Sequence, residues 1–276
     1  MSTKELYIAR FRAERLSYRL VLSERTFSIP FSSHEGMEFL FLKKGDITYR
    51  ANGKVYHPGK NSLIIMRPLD YYAMSVNSSE PYERHIFYFD PDFLPENLYD
   101  MLPRDVDVID CDGNELMRSL FRKLPYYIEH LDDKTAKMLL IGTIREIFCN
   151  AVILSKQANA SKPYASNPLI EQAVQYIQEH ITQPISIDDL TNHLSISKSH
   201  LEHLFTKHLN ITPKKYITAR KLTYARQELW AGSSATEVCV KYSFQDYSTF
   251  YRQYRNYYGH KPSETASIDD LYETNS

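Results

Sequence analysis

The chain writes one pattern twice. The stretches "DDLTNHLSISKSHLEHLFTKHLNITP", Asp188 to Pro213, and "TEVCVKYSFQDYSTFYRQYRNYYGHKP", Thr236 to Pro262, run through the same steps. Each has an acid, an apolar residue beside a small one (Leu190-Thr191, Val238-Cys239), a turn residue (Ser195, Ser243), a helical stretch, an Asn or Gly (Asn210, Gly259) and a proline. The small residue lets two short helices cross closely, so each copy reads as a helix-turn-helix unit whose second helix has the shape to enter a major groove. Between the copies, "PKKYITARKLTYARQELW" has no internal breaker and predicts one long helix joining them rigidly.

Boundary signals support this reading. Ser186 with Asp189 three residues on forms a capping box, Ser197 precedes a helical run, and Thr212-Pro213 places a cap before a proline at the first helical position. Charge separates this region from the rest. The whole chain of 276 residues has a net charge of -1, but from Leu190 to Pro262 there are 11 Lys+Arg against four acids, a surplus of +7, and five of the ten histidines. A basic third points to an anionic partner.

The remainder reads as a second domain. From Arg19 to Asp90, as in "MEFLFLKKGDITYRANGKVYHPGKNSLIIMRP", short apolar runs alternate with Lys-Gly-Asp, Asn-Gly and Pro-Gly turns, which predicts a β-barrel or sandwich. From Asn114 the apolar spacing changes to three and four residues, predicting helices packed beside it. The expected organisation is a first domain over 1–155, a small, polar, proline-containing linker over 156–168, a helical domain over 169–264 and a flexible tail over 265–276. Cys111, Cys149 and Cys239 are odd in number and show no CxxC spacing, which argues against a disulfide framework or a zinc ribbon. The start, "MSTKELYIARFRAER", lacks an apolar signal region, and no later run approaches about 18 consecutive apolar residues, so a cytoplasmic location is expected.

Helical geometry sorts the faces of the two expected groove helices at about 100° per residue. In the first, Leu201, Leu204 and His208 turn inward with Phe205 at the edge, while Ser199, Glu202, His203 and Thr206 turn outward. In the second, Phe250, Tyr254, Tyr257 and Tyr258 share the inward side, Ser248, Arg252, Arg255 and Asn256 the outward side, and Tyr247 and Tyr251 the flank.

Over Pro168 to Pro262, and most specifically over "ATEVCVKYSFQDYSTFYRQYRNYYGHKP", the chain resembles the AraC/XylS-type bacterial transcription regulators. The resemblance implies a sequence-specific regulator binding double-stranded DNA. By position, Ser199, Glu202 and His203 in the first unit, and Tyr247, Ser248 and Arg252 in the second, are expected to contact bases. Arg252 is the best placed for a bidentate bond to guanine. Lys198, Lys207, Lys215 and Arg255 are expected to contact phosphates. The sequence departs from the family pattern at Ser243, where glycine is usual, and after Pro262, where "SETASIDD" replaces the usual Tyr-Arg.

The first domain resembles the cupin-like barrel that many of these regulators use to bind an effector. The fold class expected is therefore α+β multidomain: an amino-terminal cupin-like β-barrel with flanking helices, then an all-α domain of two helix-turn-helix units. In "SSHEGMEFLFLKKG", His34, Glu38 and Gly45 keep the register of metal-binding cupins, but Ser32 stands at the first His position and Tyr71, Tyr72 or Ala73 where the last His would lie. Two of four ligands are missing, which argues against a metal enzyme. No cofactor and no catalytic residue is expected. His34, Glu38, Arg67, Tyr72 and Arg84 are the candidate effector contacts, rings and hydrogen-bonding groups that suit a saccharide. The resemblance further implies a homodimer, control of carbohydrate uptake or catabolism, and contact with RNA polymerase if the protein activates. The competing readings are a cupin-type sugar-modifying enzyme and a ligand-independent DNA binder.

Overall fold

A computed structural model describes residues 5–264 except 14, 25, 33, 35, 69, 96, 97, 158 and 159; the expected tail over 265–276 lies outside the described residues. Ten strands come first: β1 (Glu5–Ala13), β2 (Leu16–Ser23), β3 (Ser28–Ser32), β4 (Met37–Lys44), β5 (Ile47–Ala51), β6 (Lys54–Tyr56), β7 (Ser62–Met66), β8 (Tyr72–Val76), β9 (Tyr82–Phe89) and β10 (Val108–Asp110). Three helices follow, α1 (Glu115–Arg122), α2 (Leu124–His130) and α3 (Asp133–Lys156), then a short strand, β11 (Ala165–Ser166). The helical part comprises α4 (Pro168–Glu179), α5 (Ile187–Leu194), α6 (Lys198–Leu209), α7 (Pro213–Trp230), α8 (Ala235–Lys241) and α9 (Tyr247–Tyr258).

Two antiparallel sheets face each other, in the orders β1-β2-β9-β4-β7-β10 and β11-β6-β5-β8-β3. The alternation of side chains along a strand divides their residues between two cores. On β4, Leu40 and Leu42 point between the sheets to meet Tyr49, Met74 and Val76. Their neighbours Phe39 and Phe41 point the other way, into a second core closed by α1 and α3. There Phe41 stacks on Phe121 with ring centroids 4.2 Å apart, and Phe39 meets Phe148 at 5.8 Å. The same core explains α3. Its mean hydropathy reaches 1.6 over an 18-residue window, enough by length and composition to cross a membrane, although charged residues interrupt the apolar run. Leu140, Ile144, Ile147, Phe148 and Ala151 spend that apolarity under the sheet.

His85 lies in this apolar layer, with Nδ1 2.7 Å from the Tyr18 hydroxyl. Burial, with Lys43 as a lesser cause, pushes its pKa down to about 3. An unfolded histidine takes up a proton below about pH 6.5 and the folded one does not, so this contribution to stability is complete above that pH and fades as pH falls towards 3. Between pH 7 and pH 5 the expected loss is about 2 kcal/mol. Urea unfolding of the full chain at both pH values should show this part of the acid sensitivity disappearing in His85→Gln, which keeps an acceptor for Tyr18. Equal sensitivity in both proteins would contradict it.

The barrel and the helical domain are in contact. β11 pairs with β6, Ala165 opposite Val55 and Ser166 opposite Lys54. Gly53, in the Asn52-Gly53 turn at φ +82°, lies against α4, where an added Cβ would fall 2.5 Å from Ile170 Cγ2. Only glycine satisfies both the dihedral and the approach.

Candidate nucleic-acid interface and effector site

Each helix-turn-helix unit is built from local hydrogen bonds that the sequence encodes. In the first, Ser186 and Asp189 complete a reciprocal capping box on α5, Ser195 ends that helix in the left-handed conformation at φ 54°, and Ser197 caps α6 by accepting from the His200 N–H at 3.2 Å. The second unit repeats these devices. Ser234 and Glu237 form the capping box on α8, Ser243 turns left-handed at φ 51°, and Asp246 caps α9 by accepting from Thr249 N–H at 2.7 Å. A non-glycine residue in this conformation costs about 1 kcal/mol. The Ser243 hydroxyl donates to the Thr182 carbonyl at 2.7 Å, a bond of similar size that offsets the strain. The departure from glycine is thus accommodated in place.

Small residues sit where the helices cross: Thr191 and Cys239 are both buried. Leu201, Leu204, Phe205 and Leu209 anchor α6, and Phe250 and Tyr254 anchor α9. Between the units α7 spans 18 residues, about 27 Å of helix. Arg226 of α7 lies between the rings of Trp230 and Tyr258, 4.9 and 4.5 Å from their centroids, and ties the end of α9 to the connecting helix.

The expected base-contacting residues stand on exposed faces: Ser199, Glu202 and His203 on α6, and Tyr247, Ser248 and Arg252 on α9. Asp246, the cap of the same helix, is held below the usual carboxylate range chiefly by its hydrogen bonds from Thr249, with Arg252 a lesser cause. Of the expected phosphate contacts, Lys207, Lys215 and Arg255 are exposed, whereas Lys198 pairs with Asp188 at 2.7 Å and would have to leave it to reach DNA. Two face assignments change. His208 is only half-buried, at 3.3 Å from the Asn167 amide, and Tyr257 is not part of the inward side. It remains 41% exposed and shares a hydrogen bond with Tyr71 of the barrel.

Between the sheets, four residues converge. His34 Nδ1 donates to the Gly36 carbonyl at 2.9 Å, which directs Nε2 inward, 3.8 Å from Glu38 Oε2. The rings of Tyr72 and Tyr88 meet the imidazole edge-on, each 5.4 Å away. Tyr88 is fixed by accepting from the Gly36 N–H at 2.8 Å, an approach so close that a Cβ on Gly36 would lie 2.3 Å from the ring. Glu38 and Tyr88 are direct cross-strand partners, so both face the interior. The structure brings His34, Glu38 and Tyr72 together and adds Tyr88, which sequence reasoning missed.

Arg67 and Arg84 are held elsewhere. Arg67 donates to the Pro103 and Val106 carbonyls, both at 2.7 Å, and to Asp107 at 3.4 Å. Asp107 is itself buried, which raises its pKa against the pull of Lys54 and Arg67. Arg84 donates to Ser23 Oγ at 2.6 Å and stacks over Tyr82 at 4.3 Å. Both guanidinium groups serve the barrel wall.

The helix-turn-helix domain family matches residues 190–267, and the AraC-like ligand binding domain family matches 17–124. The XylDLEGF operon transcriptional activator 2 of Pseudomonas putida is 36% identical over 109 residues, 38% of this chain and 69% of that protein. The chain belongs to the AraC family of transcription regulators. The raffinose operon transcriptional regulatory protein RafR of Pediococcus pentosaceus is 27% identical to this AraC-family chain over 140 residues, half of each protein. A crystal structure of an AraC-type transcriptional regulator from Chromobacterium violaceum is 30% identical, covering 36% of this chain and 88% of that one, with a TM-score of 0.34. The match to another XylDLEGF operon activator spans 45% of that protein's length.

Proposed function

We propose that this AraC-family chain is a ligand-responsive, sequence-specific transcription regulator working in the cytoplasm. The observation that carries the reading is the duplicated set of caps and left-handed turns, which presents Ser199, Glu202 and His203 on one helix and Tyr247, Ser248 and Arg252 on another, exposed in a basic domain. Two such helices fixed by one connecting helix fit adjacent major-groove segments, about 34 Å apart.

The effector is a saccharide. Two tyrosine rings flanking a histidine and a carboxylate offer apolar faces for a sugar ring and hydrogen-bonding groups for its hydroxyls. Control of carbohydrate uptake or catabolism follows from that chemistry, and RafR is a relative whose name carries the same association. The protein acts as a homodimer through α3, whose outward side exposes Met138, Leu139 and Ile153; an activating role would add RNA polymerase as a partner.

Thermal unfolding of the full chain against a panel of neutral sugars tests the effector. A cognate sugar at a hundred times its Kd adds about 2.7 kcal/mol of stability, and Glu38→Gln should lose most of that gain. No shift with any sugar, or an equal shift in Glu38→Gln, would contradict the saccharide reading at this site.

A further inference from the structure

Two neighbouring carbonyls in the connection between α4 and α5 are held from two directions. The Ser243 hydroxyl, in the turn that leads into α9, donates to the Thr182 carbonyl at 2.7 Å. Lys221 Nζ, midway along α7, donates to the Gln183 carbonyl at 2.8 Å. The connection is stiff in its own right. The Gln183 N–H closes a turn on the His180 carbonyl at 2.8 Å, and Tyr176 of α4 lies against both the His180 ring at 4.1 Å and the His193 ring of α5 at 4.5 Å. Pro184 follows, and the capping box of α5 begins at Ser186. Whatever grips Thr182 and Gln183 therefore grips the first helix-turn-helix unit.

Neither donor is explained by its own helix or turn. A left-handed residue at position 243 is least strained as glycine, so serine gains only what its hydroxyl reaches, and that is Thr182. Lys221 is 6% exposed, burial lowers its pKa, and among the described residues it has no acidic partner. An ammonium group largely withdrawn from water costs stability unless it is bonded, and its bond goes to Gln183. The helices of the two units pack chiefly on α7 rather than on each other, so the bond from Ser243 to Thr182 is a direct tie from the second unit to the first.

We propose that Ser243 and Lys221 are positioning residues that fix the separation and rotation of α6 and α9, so that the chain selects DNA sites by the distance between two base blocks as well as by the bases in them. This rests on the two-unit reading of DNA proposed above. Neither side chain is among the expected DNA contacts. α9 begins at Tyr247, just beyond Ser243, and α5 and α6 follow Gln183 in the chain, so the two bonds meet at the root of both groove helices. One added base pair between the blocks moves the second block about 3.4 Å along the DNA and turns it by about 34°. A clamped pair of units must break a bond to follow it, whereas an unclamped pair swings on α7. The clamp therefore acts against wrongly spaced sites and reduces the freedom lost on binding a rightly spaced one.

Ser243→Gly in the full chain is the sharpest test, because glycine keeps the left-handed turn without strain and removes only the hydroxyl. Affinity is measured by equilibrium titration for the duplex that the wild type selects from a random pool and for the same duplex with one base pair inserted between its two blocks. The preference for the selected spacing should fall about 3- to 10-fold in Ser243→Gly, the worth of one hydrogen bond. Lys221→Met, which removes the other donor, should move it the same way. A general loss of stability weakens both duplexes alike and leaves the preference unchanged, so a preference within twofold of wild type in Ser243→Gly overturns the proposal. A second readout needs no DNA. Spin labels at Ser199→Cys and Ser248→Cys, both exposed, in a chain whose exposed cysteine is removed by Cys149→Ser, report the distance between α6 and α9. The distribution should be narrow in that chain and broader once Ser243→Gly is added; equal widths overturn the clamp. If the wild type selects no two-block duplex, the DNA-reading account fails, and the label distances decide the clamp alone.

Discussion

Replacing Arg252 by alanine is expected to remove most of the base preference contributed by the second helix-turn-helix unit. Arg252 stands on the exposed face of α9, one turn beyond Tyr247 and Ser248, on a helix whose opposite side is fixed by Phe250 and Tyr254. A guanidinium in that position can donate two bonds to the acceptor pair of one guanine, and each good bidentate pair is worth about 1–3 kcal/mol of discrimination. Binding to a preferred duplex should weaken about 5- to 150-fold while scrambled DNA is bound almost as before, because phosphate contacts dominate nonspecific affinity. Equilibrium titration of both duplexes with both proteins checks this. An equal loss on both would make Arg252 a phosphate contact. Lys215→Ala, by contrast, should weaken both duplexes alike.

Phe250→Ala should undo the same unit from inside. Phe250 is fully buried, with ring centroids 4.8 Å from Phe244 and 5.7 Å from Tyr254. Truncating a buried phenylalanine costs about 3–5 kcal/mol through lost transfer energy and the cavity left behind. α9 buries Phe250 and Tyr254, and its ties through Tyr258 to Arg226 and through Tyr257 to Tyr71 lie at its far end, so losing Phe250 should undock α9 while the barrel, with its separate cores, stays folded. Hydrogen exchange should show protection lost in α8 and α9 and retained in β4, β7 and β9. A stability change below 1 kcal/mol, or loss of protection in the sheets as well, would show that α9 is not an independent foldable element.

What the sequence disclosed follows from the range of the forces involved. Ser186, Ser197 and Thr212 cap their helices through bonds to residues three positions on, and such bonds are legible in one dimension. The repeat and the exposed polar faces of α6 and α9 were equally readable, because a 100° period needs no knowledge of the partner. Tyr257 was misassigned for the opposite reason. Its position on the helix favours the core, but its partner Tyr71 is far away in the chain and reaches it only when the barrel docks. Tyr88 was missed because β9 is buried on both faces, and the run "IFYF" shows no alternation to mark which side a tyrosine takes. Arg67 and Arg84 carry the donors expected of ligand contacts, but carbonyls at Pro103 and Val106 and the hydroxyl of Ser23 claim them, bonds that only the folded barrel creates.

The structural departure at Ser243 shows how local and distant forces combine. The left-handed conformation disfavours serine, and the Thr182 carbonyl that restores the balance lies in the connection between α4 and α5, outside the repeat. The second unit keeps the turn geometry of the first by borrowing a hydrogen bond from a neighbouring element.

Selection of binding sites from a randomised duplex pool by the full chain tests the central claim most directly. Two groove helices held by one α7 predict an enriched sequence with two blocks of preference centred about one helical turn, 10–10.5 base pairs, apart, with a guanine in the block that Arg252→Ala fails to select. A pool that returns no enriched sequence, or a single short block unchanged by Arg252→Ala, would contradict the account of two cooperating DNA-reading units.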